Sequence, residues 1–129
     1  MAIDFLTFDD VIGIYEDQIE RYGGRAGIRD MNALLSAIAM PQAAFDGKHL
    51  HADLFEMAAA YFFHLVQNHP FIDGNKRAGT AAALVFLDLN GIEVTIDDDC
   101  LAEFVLEVAQ GRHDKNAIAA FLRKHTSSG

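Results

Sequence analysis

The sequence predicts an all-α domain: a bundle of six helices with a short hairpin-like flap before the third. Three observations predict it. Apolar residues recur at helical spacing in one segment after another. Thr or Asp stands where most of these segments begin, and Gly or Pro follows where most of them end. Only the short runs 44–50 and 92–96 have strand character. A chain of 129 residues, 51% of them hydrophobic, suits one domain with one core. That domain is read as 1–125, followed by a polar tail, 126–129, expected to fray.

The first helix opens at Thr7, whose partner three residues on, Asp10, makes a capping box with Asp in place of the usual Glu. Phe8, Val11, Ile12, Tyr15 and Ile19 then follow one face until Gly23-Gly24 stops it. Asp30 caps a second helix over 31–39, which must end before Pro41. In the flap, Phe45-Asp46-Gly47-Lys48 carries the Asp-Gly pair of a tight hairpin turn. The third helix, about 53–68, is strongly apolar and is broken by Pro70 and Gly74. The fourth, about 75–89, contains Gly79, Ala81, Ala82 and Ala83, small residues that permit close helix contact and make it central. Asp97–Asp99 opens a fifth helix ending at Gly111, and Asp114 a sixth ending near His125. The apolar stripes 57–63 and 85–89 are expected to be core.

Charge and composition narrow the function. A net charge of −9 with only ten Lys and Arg argues against direct nucleic-acid binding, which needs phosphates neutralised by cations. The longest apolar stretch, 57–66, is interrupted by His64 and is too short to span a bilayer, so no membrane role is expected. No basic stretch followed by an apolar one opens the chain, and a reducing cytoplasm is the expected compartment. The single Cys100 rules out an internal disulfide and is expected to be a small buried hydrophobe.

The chemistry is concentrated in His69-Pro70-Phe71-Ile72-Asp73-Gly74-Asn75-Lys76-Arg77. This segment lies where a helix N-terminus opens, and the unpaired N–H groups there favour an anion. Gly74 lets the backbone approach that anion. Asn75 can cap the helix or bond a ligand, and Lys76 and Arg77 add positive charge. Asp73 is a hard oxygen ligand of the kind that holds Mg²⁺ beside phosphates. His69 can take a proton from a hydroxyl near neutral pH. A base, a metal carboxylate and an anion cradle within nine residues point to phosphate transfer.

This segment resembles the signature of the Fic/Doc superfamily, His-x-Phe-x-Asp/Glu-Gly/Ala-Asn-Gly/Lys-Arg. It is most similar to the Doc (death-on-curing) branch because its eighth position is Lys76. Arg21-Tyr22-Gly23-Gly24, Asp53-Leu54-Phe55-Glu56, 83–91 and 109–122 also look Doc-like, so the resemblance covers essentially the whole chain. It implies a six-helix domain with the motif between two central helices. It implies His69, Asp73, Lys76 and Arg77 as catalytic residues, Asp73 as the Mg²⁺ ligand, and Gly74, Asn75, Lys76 and Arg77 as the phosphate cradle. Phe71 would anchor the loop in the core, and the flap with Phe45, Asp46, Gly47 and Lys48 would dock the target by main-chain pairing.

Relatives that transfer AMP usually have Gly at the position of Lys76 and a second Arg at that of Thr80. The Doc branch implies transfer of the ATP γ-phosphoryl to a Ser/Thr hydroxyl, with a threonine of elongation factor Tu as target and translation arrest as the result. It also implies a toxin restrained by a Phd-like antitoxin, since no Ser/Thr-x-x-x-Glu inhibitory motif is present. AMP transfer, and a catalytically silent antitoxin-binding regulator, are the alternatives. His49, His51 and His64 are expected to be surface or flap histidines rather than metal ligands, because His64 and His69 are five apart instead of the four of helical zinc sites.

Overall fold

The computed structural model describes residues 2–126. In chain order it contains α1 (Phe8–Tyr22), α2 (Met31–Ala39), a 3₁₀ turn (Met40–Gln42), β1 (Ala44–Phe45), β2 (Lys48–His49), α3 (Leu54–Gln67), α4 (Asn75–Leu89), α5 (Asp98–Ala109) and α6 (Lys115–Lys124). The six helices and the single hairpin agree with the architecture the sequence predicts.

Local capping explains most helix starts. Thr7 and Asp10 form the reciprocal box at α1. Asp30, Asp53, Asp97 and Asp114 each accept the N–H of the third residue of their helix. The chain passes Pro41 by tightening into the 3₁₀ turn instead of continuing α2. In the flap β1 pairs antiparallel with β2, Ala44 opposite His49 and Phe45 opposite Lys48. Asp46 (φ 52°) and Gly47 (φ 78°) are both left-handed, as a type I′ turn requires. The run 92–96 forms no extended strand. Val94 makes an isolated bridge to Thr126, which ties the first residue of the expected tail to the domain, and 127–129 lie outside the described residues.

α3 and α4 form the central pair. α1 packs on α4, α2 and α6 pack on α3, and α5 touches both central helices. A Cβ at Gly79 would meet Val66 Cγ2 at 2.9 Å and the Phe62 carbonyl at 3.0 Å, so only glycine permits this approach of the two helices. The core includes Leu34, Met57, Tyr61, Phe62, Leu65, Phe71, Phe86, Leu87, Val108, Ile118 and Leu122. Tyr61 donates nothing to bulk water. Its hydroxyl accepts the Leu6 N–H, and burial pushes its pKa up to about 12. Two expectations about the core are corrected. Val85 and Leu89 are 42% and 50% exposed, because α4 turns only the face with Ala82, Ala83, Phe86 and Leu87 inward. Cys100 is exposed, since it sits in the first turn of α5 on the solvent side.

Candidate active site

The motif fills the junction between the central helices. Asn68 ends α3, and His69 follows with φ 48°. The place just past a helix end commonly takes glycine, because a left-handed backbone costs an ordinary side chain about 1–2 kcal/mol. Here an exposed histidine occupies it. Phe71 is fully buried, and its ring stacks on Tyr15 of α1 at 3.8 Å between centroids and 3° between planes. The buried Asn75 amide closes the loop on itself: Oδ1 accepts the Phe71 N–H and Nδ2 donates to the Phe71 carbonyl. Asn75 therefore braces the loop through its side chain.

The exposed Asp73 carboxylate accepts the Arg25 N–H through Oδ2 and the Gly74 N–H through Oδ1. These two bonds, with the charges of Arg77 and Lys76, hold its pKa below the usual carboxylate range. Gly74, at φ 80°, opens α4 without a side-chain cap. A Cβ there would come within 3.1 Å of Ile19 Cδ1. Thus five α-helices carry a Thr or Asp cap, and α4, at the motif, begins with N–H groups that no side chain takes. Lys76 and Arg77 stand in that first turn. Arg77 lies over the Tyr22 ring at 5.7 Å, and the Thr80 hydroxyl donates to the Lys76 carbonyl.

A cleft of about 610 Å³ between α1, α4 and α5 begins at Lys76, Arg77 and Thr80 and continues along Leu84, Leu101 and Val105. It is largely apolar, and its lining does not include His69 or Asp73. The flap is exposed from 44 to 50, with Phe45 at 82% and Leu50 at 61% exposure.

The sequence model of the Fic/DOC family matches residues 5–87, from the segment before α1 to the last turn of α4. The chain belongs to the Fic/DOC family. It is 39% identical over 103 residues, 78% of this chain and 79% of the relative, to the protein named Toxin Doc from Mycolicibacterium smegmatis. It is 33% identical over 116 residues, 90% of each chain, to the protein named Protein kinase doc from Escherichia phage P1.

In this Fic/DOC chain the residues from His69 to Arg77 share one loop and one helical turn, whereas Phe45, Asp46, Gly47 and Lys48 stand on the separate hairpin before α3. Other contributors lie in the connection from α1 to α2. Ile28 bridges Phe71, Ile72 donates to the Gly27 carbonyl, and Tyr15 accepts the Gly27 N–H. Gly24 packs so closely on Asp73 and Arg77 that a Cβ would lie 3.0 Å from Asp73 Oδ2. As a local signal Gly23-Gly24 marks a helix stop, and the Doc-like segment Arg21–Gly24 that contains it is the sign in the sequence of a further role.

The histidine expectation also needs correction. His49 is in the flap, but His51 is only 6% exposed, and its Nε2 and that of His64 each lie 3.3 Å from Lys115 Nζ. Residues far apart in sequence meet here because α6 packs along α3. Among the described residues no group of three or more His, Cys, Asp or Glu could hold a metal. A single carboxylate such as Asp73 is compatible with Mg²⁺, which takes one or two carboxylates and completes its shell with phosphates and water. Its carboxylate is exposed and its depressed pKa keeps it ionised, so the residue present fits that ion. Among the described residues no helix is long and apolar enough to cross a membrane.

Proposed function

We propose that this chain is the toxin of a toxin–antitoxin module and transfers the γ-phosphoryl of ATP to a Ser/Thr hydroxyl of a target protein, with elongation factor Tu as target. The observation that carries the reading is the uncapped first turn of α4, flanked by Lys76 and Arg77 and preceded by the outward His69. The N–H groups of that turn and the two cations hold phosphates. Asp73 would hold Mg²⁺, and that ion would supply neutralisation of charge on the phosphate oxygens. His69 takes the proton of the attacking hydroxyl as its oxygen bonds the γ-phosphorus, the bond from that phosphorus to the bridging oxygen breaks, and ADP leaves. The flap fixes the target segment by adding a strand, with Phe45 as an apolar anchor.

Lys76 at the phosphate end and Thr80 bonded to its carbonyl support phosphoryl over AMP transfer, because no second Arg stands at position 80. The relatives' names, Toxin Doc and Protein kinase doc, support the same reading. Restraint comes from a Phd-like antitoxin, and the apolar cleft beside Arg77 gives such a partner a surface from which to cover the phosphate site. The toxin acts in the cytoplasm.

Intact-protein mass spectrometry of elongation factor Tu incubated with the chain, Mg²⁺ and ATP tests this. One added phosphate is expected, with a loss of at least 10²–10⁴-fold in rate for His69→Ala and a comparable loss for Asp73→Ala, both variants remaining folded. Addition of AMP instead would establish nucleotidyl transfer. No added mass on this target or in a whole-cell lysate would leave a silent antitoxin-binding partner.

A further inference from the structure

The geometry points to Arg29 as a positioning residue for His69, an inference that rests on the phosphoryl-transfer reading above. Arg29 grips three successive carbonyls at the end of α3. Its Nη2 donates to Asn68 at 2.9 Å, its Nε to His69 at 2.5 Å, and its main-chain N–H to Pro70 at 2.7 Å. The Asn68 carbonyl belongs to the peptide plane before the His69 Cα, and the His69 carbonyl to the plane after it. Holding both planes fixes both backbone dihedrals of His69 and therefore the direction of its Cα–Cβ bond.

That hold has something to oppose. His69 stands at φ 48°, a region a β-carbon disfavours. Released from the guanidinium, the residue can relax toward an ordinary helical or extended backbone and swing its imidazole away. Asn68 is separately secured, since its N–H reaches the His64 carbonyl and its side chain the Ala33 carbonyl. Among the described residues no other hydrogen bond is found to the His69 carbonyl. The fork matters as much as the charge: a guanidinium spans two adjacent carbonyls with fixed geometry, and an ammonium does not. Arg29 is exposed, so its replacement opens no cavity in the core.

The test compares Arg29→Gln, Arg29→Lys and Arg29→Ala with the parent and with Arg21→Gln, which removes an equal charge at the end of α1. Expected is a fall in kcat of about 10- to 100-fold for Arg29→Gln with KM for ATP unchanged, the size of effect that a displaced reacting group produces. Arg29→Lys should fall between, Arg21→Gln should match the parent, and added guanidinium ion should restore part of the Arg29→Ala rate. A kcat within twofold of the parent, or a loss carried by KM for ATP, overturns the assignment. So does Arg29→Lys restoring full activity, which would leave only a charge effect.

NMR of His69 gives a readout that does not need turnover. Its backbone amide and ring resonances should shift in Arg29→Gln and Arg29→Lys while those of the α3–α4 core stay in place. A parent chain without transfer activity sinks the phosphoryl-transfer reading by itself. Arg29 is then judged on these resonances, and unshifted His69 signals overturn its role.

Discussion

The flap before α3 is held by its own two-residue strands, the bond from Leu50 to Ala43 and a tilted contact of the His49 ring with Phe5 at 5.7 Å, and every residue from 44 to 50 is exposed. The loop after α3 is also short, yet it is braced from a segment some 40 residues earlier, by Gly27, Arg29 and Asp30, and anchored below by Phe71 and Asn75. Few buried contacts leave a segment free to adapt, and many fix it. On the proposed function, a flap that accepts another protein's chain would benefit from the first condition. A histidine that acts as base on one hydroxyl in line would need the second.

The contrast breaks most clearly at Phe71. Phe71→Ala should cost about 3–5 kcal/mol in urea unfolding, because it empties a fully buried ring site and removes the stack on Tyr15. Phe45→Ala should leave stability within about 0.5 kcal/mol, since the ring is 82% exposed. It should instead raise KM for the protein target about tenfold, as loss of an aromatic anchor does, with KM for ATP unchanged. Equal losses of stability at the two positions would mean that the flap is part of the packed body after all.

Acid sharpens the same comparison with a smaller effect. Burial, with Lys115 and His51, holds His64 down to about 4 from its ordinary 6.5, and burial with Lys115 also lowers His51 at the foot of the flap. The unfolded chain therefore takes up these protons first, and stability should fall as pH drops from about 6.5 toward 4. Solvent screening at the half-buried His64 keeps its share to the order of 1 kcal/mol. Urea titrations across that range should show the slope, and His64→Gln should flatten it. Asp73 is lowered too, so its bonds to Arg25 and Gly74 persist until the pH falls below the ordinary carboxylate range.

What the sequence made legible follows the reach of each interaction. A cap joins residues three apart, and Thr7, Asp30, Asp97 and Asp114 cap where their positions predict, while Asp53, read as the first residue of its helix, proves to cap it. The motif is contiguous, so its residues had to fall on one junction. The braces were hidden because their partners are distant: Arg29 lies 40 residues from His69, and Arg25 lies 48 from Asp73. His51 and His64 lie 64 and 51 residues from Lys115, and only the packing of α6 on α3 brings them together. Val85, Leu89 and Cys100 went wrong for another reason. Hydrophobicity predicts burial only for the side of a helix that faces a neighbour, and one sequence does not say where α4 and α5 turn that side.

The missing cap of α4 also couples occupancy to folding. Each of the other five α-helices is completed by a side chain of the protein, whereas no side chain caps α4, the turn proposed above to hold phosphates. An anion that satisfies those N–H groups binds the native chain and not the unfolded one, and at a hundred times its dissociation constant it adds about 2.7 kcal/mol to stability. On the proposed function, the same donors that steady a phosphate leave the resting protein a little less stable than it could be, and bound ATP would restore the difference.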